Sequence, residues 1–256
     1  MFYSAQPAYI KAKTMKLTVT FLLFLSLFTF SSSYAQEQVE EEERRPVGSV
    51  YIGAVYMQPV GAFRSTYPNG DAIGGTFGLL VNPLKRATAL EVGAQVSYLS
   101  QGIHKVETNN TAYHDVLKTA HSIIPIHLVA RLKSQTTSLV KPYLDGLAGI
   151  SIFNTRTKIK EDLLDFMQDG HQPVILNKHN STGISYGLGA GLLFHTGKSK
   201  ETMADIRLVY LYSPIEKYVQ RGHVTVLQDG FPAYSFSLSE TSMFMLQLNL
   251  VGILTN

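Results

Sequence analysis

The chain contains no cysteine and no tryptophan, and only 16% of its residues are charged. The absence of cysteine excludes a disulfide-stapled scaffold and every metal site built from thiolates. The low charge, together with a hydrophobic content of 45%, argues against an intrinsically disordered chain. A length of 256 residues is compatible with one large domain or two small ones.

The sequence also has little excess of one charge sign. The formal net charge is +3, but residues 1–35 contain three lysines and no acid. The rest of the chain therefore has 19 basic and 19 acidic residues and a net charge of zero. No region interleaves basic and aromatic residues in the manner of a nucleic-acid surface, so we expect no nucleic-acid partner.

The N-terminal segment is typical of a secretory signal peptide. Lys16 precedes an uncharged and mostly apolar run over residues 17–30, and small residues follow at Ser33 and Ala35. A basic start, an apolar middle and small residues at positions −3 and −1 are the marks of such a peptide. The run is shorter than the ~20 residues of a transmembrane helix, which favours the peptide over an anchor. We predict a signal peptide over residues 1–35.

Three further boundaries follow from composition. Met15 stands directly before Lys16, which makes residues 1–14 a candidate over-extended start. Residues 36–46 form a charged run that cannot bury apolar area, so we predict a flexible leader there. Residues 47–256 are then assigned to one folded domain.

Beyond residue 47 the sequence lacks an apolar run long enough for a transmembrane helix. Apolar residues instead alternate with small or polar ones, with a period of two, in eight segments. The segments are residues 49–58, 72–82, 88–100, 120–133, 140–153, 183–195, 204–212 and 242–252. Lengths near ten residues suit tilted membrane strands, which need ~9–11 residues, and exceed the ~5–6 residues of an ordinary globular strand.

The connections between these segments alternate in length. Short connections lie at residues 83–87, 134–139 and 197–202, and long ones at residues 59–71, 101–119, 154–182 and 213–241. This alternation is typical of an up-and-down membrane barrel. We predict an all-β fold, an eight-stranded antiparallel transmembrane β-barrel with short periplasmic turns and long extracellular loops.

Each predicted strand has one apolar face and one face of glycine or polar residues. In a membrane barrel the apolar face contacts lipid and the other face lines the lumen. The predicted lipid-facing residues are Leu90, Val92, Val96, Ile206, Leu208, Leu246, Leu248 and Leu250. The predicted interior polar network consists of Glu91, Gln95, His127, Arg131, Asp145, Asp205, Arg207 and Gln247. Because buried charges need partners, we expect Glu91, Asp145 or Asp205 to pair with Arg131 or Arg207.

Five tyrosines lie near the predicted outer ends of strands. They are Tyr56, Tyr98, Tyr186, Tyr210 and Tyr212. Tyrosine is enriched at membrane interfaces, so these residues predict an aromatic girdle. The alternative is that they pack within the loops.

Two neighbouring segments carry a family resemblance. Residues 123–128 read Ile-Ile-Pro-Ile-His-Leu, and residues 141–149 read Lys-Pro-Tyr-Leu-Asp-Gly-Leu-Ala-Gly. Together with the glycine-rich residues 186–191, they resemble the PorT-like group of the outer membrane protein β-barrel domain family of Bacteroidetes-type bacteria. The resemblance covers residues 47–254 and implies a barrel in the outer membrane. Some members serve protein secretion, but these motifs do not select that role.

Residues with catalytic or metal-binding chemistry form no recognisable site. The eight histidines include no H-E-x-x-H motif and no pair with the spacing of metal ligands. His121 stands beside Ser122, but neighbouring residues of a strand point to opposite faces and cannot share a proton there. We therefore predict no catalytic, metal or cofactor-binding residue, and no enzymatic activity.

The sequence thus predicts a non-enzymatic integral outer-membrane protein with a structural or binding role. Its expected partner is the lipid bilayer. Residues 154–182 and 213–241 are candidates for contact with a protein partner, and the alternative is that these two segments only cap the barrel. Three alternatives remain open at this point. The first is a narrow porin-like channel, and the second is a barrel enzyme that acts on lipid. The third is a soluble lipocalin-like barrel for a small apolar ligand, with Leu90, Val92, Leu246 and Leu248 inside.

Overall fold

In the computed structural model, the described residues are 46–83, 89–107, 116–135, 138–159, 175–195, 202–226 and 232–255. The predicted signal peptide and the leader up to residue 45 lie outside them, so both stay predictions. Pro46, the last residue assigned to the leader, begins the first strand.

The described residues form ten strands and one short helix. The strands are β1 (Pro46–Val60), β2 (Ala72–Val81), β3 (Leu90–Glu107), β4 (Val116–Lys133), β5 (Val140–Ile159), β6 (Ile175–His195), β7 (Thr202–Tyr212), β8 (Ile215–Val226), β9 (Pro232–Glu240) and β10 (Ser242–Thr255). The helix α1 (Gly61–Thr66) follows β1 directly. Within the described part of the chain, no helix is long and apolar enough to span a membrane.

Eight of these strands close into an antiparallel barrel in the order β1-β10-β7-β6-β5-β4-β3-β2. They coincide with the eight segments that alternate in the sequence, and the predicted eight-stranded antiparallel barrel is confirmed. Closure joins β1 to β10, with Tyr51 opposite Val251 and Tyr56 opposite Leu246. A closed barrel leaves no strand edge, so all of its strands have a hydrogen-bonded neighbour on each side.

Within the segment 213–241, which the sequence predicts to be a loop, the described residues 213–226 and 232–241 are largely strand. The segment contains β8 and β9, which pair with each other in a separate two-stranded sheet. Residues 233–239 read Ala-Tyr-Ser-Phe-Ser-Leu-Ser, an alternation that already indicates a strand. We call the end of the barrel that carries α1 and this hairpin the capped end.

Four neighbouring strands are longer than the others. β3, β4, β5 and β6 have 18, 18, 20 and 21 residues, whereas β1, β2, β7 and β10 have 15, 10, 11 and 14. The predicted loops 101–119 and 154–182 are therefore partly strand. We call the parts of β3–β6 that project at the capped end, beyond Ser100, Ser122, Asn154 and Thr182, the extended wall.

A β-bulge interrupts β3 where the extended wall begins. The register against β4 shifts between Ser100 and Ile103. Gly102 adopts a φ of 94° there, a left-handed conformation that glycine tolerates better than other residues. The extra residue exchanges the faces of β3, so that odd-numbered positions point inward before the bulge and outward after it.

Candidate functional site

The two faces of the barrel strands carry the residues that the sequence assigns to them. All eight residues of the predicted interior network are buried. Six of the eight predicted lipid-facing residues are exposed on the outside, namely Val96, Ile206, Leu208, Leu246, Leu248 and Leu250. Leu90 and Val92 are half-buried and lie on the same outward face, opposite Leu132 and Ala130.

A three-residue ion cluster occupies the lumen. The Arg131 guanidinium donates two hydrogen bonds to the Asp145 carboxylate, at 2.9 and 3.0 Å. Arg207 Nη2 lies 2.6 Å from the second oxygen of the same carboxylate. All three side chains are at most 1% exposed. One acid thus stands between two arginines, which makes the predicted pairing correct for Asp145.

Neutral side chains also contact Arg207. Its Nη1 donates to Gln95 Oε1 at 2.5 Å and to Gln247 Oε1 at 3.2 Å. The Tyr51 hydroxyl also donates to Gln95 Oε1, at 2.8 Å. These contacts link β1, β3, β7 and β10 across the lumen, and such oxygen acceptors are what a buried guanidinium requires.

Aromatic rings cover the other arginine. The Arg131 guanidinium carbon lies 3.9 Å from the ring centroid of Tyr143 and 5.5 Å from that of Tyr51. Both are cation–π distances, and the interaction is stronger in a site without water. Buried side chains from β1, β3, β4, β5, β7 and β10 therefore meet in this cluster.

The other two predicted acids take different partners. Asp205 accepts hydrogen bonds from the Tyr143 hydroxyl at 2.7 Å and from Asn249 Nδ2 at 2.8 Å. Glu91 stands opposite Arg131 in the strand register, yet it forms its ion pair with Lys133. The prediction left open which acid would pair with an arginine; among the described residues it is Asp145, which engages both guanidinium groups, whereas Glu91 and Asp205 take other partners.

His127, the remaining member of the predicted network, belongs to a separate hydrogen-bonded group. Its Nε2 lies 2.7 Å from Ser185 Oγ, and Ser151 Oγ donates to Ser185 Oγ at 2.9 Å. A histidine beside a serine is the arrangement of a base and a nucleophile. Both side chains are buried within the filled lumen, which does not suit a nucleophile that must meet a substrate. His121 and Ser122 lie on opposite faces, as expected from the alternation.

An aromatic cluster closes the lumen at the capped end. Phe63 of α1 lies with its ring centroid 6.2 Å from Phe153 of β5 and 5.2 Å from Tyr218 of β8. Tyr67 stacks on Tyr218 at 6.3 Å. We call these four residues the aromatic cap. Sequence analysis missed it, although Phe63 and Tyr67 have the i, i+4 spacing of neighbours on a helix.

The hairpin β8–β9 is fixed to β5 and β6. Thr157 and Tyr234 are hydrogen-bonded at 2.9 Å, and Asn177 Nδ2 donates to the carbonyl oxygen of Pro232 at 2.9 Å. His179 packs its ring 4.6 Å from that of Phe236. Burial under the hairpin, with a contribution from Lys217, lowers the pKa of His179. A neutral His179 therefore suits the docked hairpin.

Glu216 of β8 needs a glycine opposite it. A Cβ atom at Gly183 would lie 1.7 Å from Glu216 Oε1, so the carboxylate occupies the space where any other residue would place its side chain. Burial at this contact raises the pKa of Glu216. This close approach explains one of the glycines of β6, which the sequence shows only as part of the lumen face.

The predicted girdle tyrosines lie on the outside. Tyr56, Tyr98, Tyr186 and Tyr210 are exposed, and Tyr186 packs against Tyr212 with ring centroids 5.4 Å apart. Each of these tyrosines is within four residues either of the end of its strand at the capped end or of an outward-facing polar residue on the same strand. These positions suit a membrane interface, and the girdle itself remains a prediction.

Among the described residues, no group of three or more histidine or acidic side chains is placed to hold a metal ion. The candidate site is therefore the barrel as a whole, with its ion cluster, its aromatic cap and the surfaces at the capped end.

No protein-family model and no curated protein matches the chain. Several solved structures do. Neisserial surface protein A (NspA) has a TM-score of 0.42 and 13% identity, over 81% of this chain and 97% of its own. Ail of Yersinia pestis, in complex with the heparin analogue sucrose octasulfate, has a TM-score of 0.42 and 12% identity, over 81% and 99%. A major outer membrane protein of Thermus thermophilus has a TM-score of 0.47 and 11% identity, over 80% and 99%.

These similarities are weak, and the barrel is established by the strand pairing of this chain itself. Since no family model matches, the resemblance to the PorT-like group stays a prediction.

Proposed function

We propose that the chain is an integral outer-membrane β-barrel with a filled lumen and a structural or binding role, and that it is not an enzyme. The observation that supports this most strongly is the distribution of side chains, with a continuous apolar outside around a charged inside. The capped end would face the exterior of the cell.

The height of the apolar outside fits a bilayer. On β4 the outward residues from Ile124 to Leu132 are all apolar, while Arg131 and His127 point inward. These nine residues span roughly 26 Å along the strand, or roughly 20 Å along the barrel axis at a tilt of ~40°. Membrane barrels have an apolar band about 25 Å tall. A membrane is therefore the environment in which this surface is stable.

A soluble barrel would require the opposite arrangement. The lipocalin-like alternative needs Leu246 and Leu248 inside, but Leu248 is 54% exposed on the outside, whereas Arg207 is buried in the lumen. Contiguous apolar surfaces of this extent are rare on soluble monomers. The distribution favours contact with lipid.

The lumen is poorly suited to conduction. The ion cluster of Arg131, Asp145 and Arg207 crosses it, and the aromatic cap, with Phe63 and Tyr218, closes it at one end. Eight-stranded barrels generally have interiors just wide enough for side chains to fill. This favours a structural or binding role over a porin-like channel.

The proposal is tested by cell fractionation. Membranes of expressing cells are washed with carbonate, and unboiled and boiled samples are compared on a detergent gel. We expect the protein to stay in the outer-membrane fraction and to change its mobility after boiling. Recovery of the folded protein in the soluble fraction would contradict the proposal.

A further inference from the structure

Positive side chains stand opposite one another across the extended wall. Lys105 of β3 is paired in register with Lys118 of β4, and Lys118 with Lys158 of β5. Two residues closer to the barrel, Arg156 of β5 is paired with Lys178 of β6. We call these five residues the basic patch. Like charges directly opposite on neighbouring strands destabilise a sheet, so this arrangement calls for a compensating anion.

The basic patch lies on the outside of the wall. Thr119 and Thr157, the neighbours of Lys118 and Lys158, point inward and are hydrogen-bonded to each other at 2.8 Å. The lysines therefore point outward. Lys105 joins them because the bulge at Gly102 exchanges the faces of β3, and without it Lys105 would point into the lumen.

Among the side chains that the structure describes, no acid forms an ion pair with the basic patch. The ion pairs found among them involve Arg131, Arg207 and Lys133, and none involves a member of the basic patch. Arg156, Lys178 and Lys105 are exposed, and the two other lysines are half-buried. Within that part of the chain, the patch presents several positive charges on one surface without an ion-pair partner.

The height of the basic patch above the apolar band indicates which ligand groups the patch can reach. Arg156 lies four residues and Lys158 six residues beyond Ile152, the last apolar outward residue of β5, which is roughly 13 and 20 Å along the strand or ~10 and ~15 Å along the axis. The polar headgroup layer extends about 5–8 Å beyond the hydrocarbon on each side of a bilayer. Arginine and lysine side chains at this height reach back to that layer.

We propose that the basic patch binds the phosphate groups of a phosphorylated lipid headgroup in the leaflet at the capped end. The patch shares its outward face with Ile124 and Ile152, so a ligand beside it stands among the lipids that surround the barrel. Among the described residues, the hairpin β8–β9 contacts the inner side of the wall, through Thr157. The inference rests on the proposed function, since it requires lipid around β3–β6.

The test compares the chain with a variant that removes three charges. Lys105→Gln, Lys118→Gln and Lys158→Gln are combined, and diphosphoryl lipid A is titrated into the purified barrel in zwitterionic detergent micelles. We expect the affinity to fall on the order of a hundredfold, since each lysine near an anionic surface contributes roughly fivefold. The corresponding triple change to arginine should retain binding, because it keeps the charges.

A matched control removes the same number of charges elsewhere. Lys85→Gln, Lys198→Gln and Lys200→Gln are combined; in the sequence these lysines stand between β2 and β3 and between β6 and β7. This variant should bind diphosphoryl lipid A as the unmodified chain does. The gel mobility shift on boiling verifies that all three variants are folded.

Three outcomes would overturn the inference. Equal affinity of the glutamine variant would mean that the charges are compensated within the chain. Equally tight binding of inorganic pyrophosphate would assign the patch to a free anion. Binding of heparin in place of the lipid would assign it to a soluble polyanion. Recovery of the protein in the soluble fraction would contradict the proposed function. If the protein inserts into the membrane but the glutamine variant binds lipid A as tightly as the unmodified chain, only the present inference is contradicted.

Discussion

The inside and the outside of the same strands obey opposite rules. On β7, Asp205 and Arg207 point into the lumen, and Ile206 and Leu208 point outward. A soluble sheet packs its apolar face and exposes its polar face, but here the polar face is enclosed by the barrel. Period-two alternation therefore locates the strands, while the chemistry of each strand face determines whether that face contacts the lumen or the surroundings of the barrel.

The largest expected effect is on the inside, at Asp145. Replacing Asp145 by Asn leaves Arg131 and Arg207 buried without their shared carboxylate, and we expect a loss of about 3–5 kcal/mol in the free energy of unfolding. Urea titration in detergent, followed by the gel mobility shift, measures it. Asp71→Asn, at an exposed acid that accepts a hydrogen bond from Tyr56, is the control and should change stability little. A loss below about 1 kcal/mol at Asp145 would mean that water hydrates the cluster.

The next effect is on the outside, at Leu248. Leu248→Arg places a charge on the apolar band and should destabilise the barrel by about 2–4 kcal/mol in phospholipid vesicles. Leu254→Arg, near the end of β10, should cost only ~0–1 kcal/mol because it lies nearer the interface. Equal, small effects at the two sites would show that the outside of β10 does not contact hydrocarbon.

The aromatic cap should open at a lower free energy than the barrel that it closes. Phe63→Ala removes ring contacts with Tyr67, Phe153 and Tyr218, each of which contributes roughly 0.5–1.5 kcal/mol beyond its buried area. We expect faster hydrogen exchange in α1 and β8 and little change in β4 or β7. Uniformly faster exchange in all strands would make the cap part of the barrel's cooperative unit.

The smallest effect is expected at the rim of the lumen. Glu91→Gln breaks the ion pair with Lys133, whose side chain is 26% exposed, so solvent screens the interaction. The expected loss is about 1 kcal/mol or less in the same urea titration. A loss in the free energy of unfolding as large as that for Asp145→Asn would show that the ion cluster includes Glu91 at the rim.

The strands and their faces could be predicted within the barrel because each face meets a single environment there, either the surroundings of the barrel or its lumen. The partners of the lumen charges could not, since Arg207 of β7 reaches Asp145 of β5 across the lumen and not across one strand pair. The outward direction of Lys105 depends on one extra residue at Gly102, which reverses the parity of β3. The aromatic cap depends on elements that fold over the barrel, and strand periodicity does not show which barrel residues those elements contact.

The most direct test of the central claim uses the absence of tryptophan from the chain. Single tryptophans are introduced outside, by Leu128→Trp or Leu248→Trp, and inside, by Met57→Trp or Met245→Trp. Each variant is reconstituted in vesicles of dibrominated phosphatidylcholine, whose bromine atoms quench tryptophan fluorescence on contact. We predict strong quenching at the two outside positions and little at the two inside positions. Equal quenching at all four positions, or quenching of the inside pair alone, would contradict a lipid-facing exterior around a filled lumen.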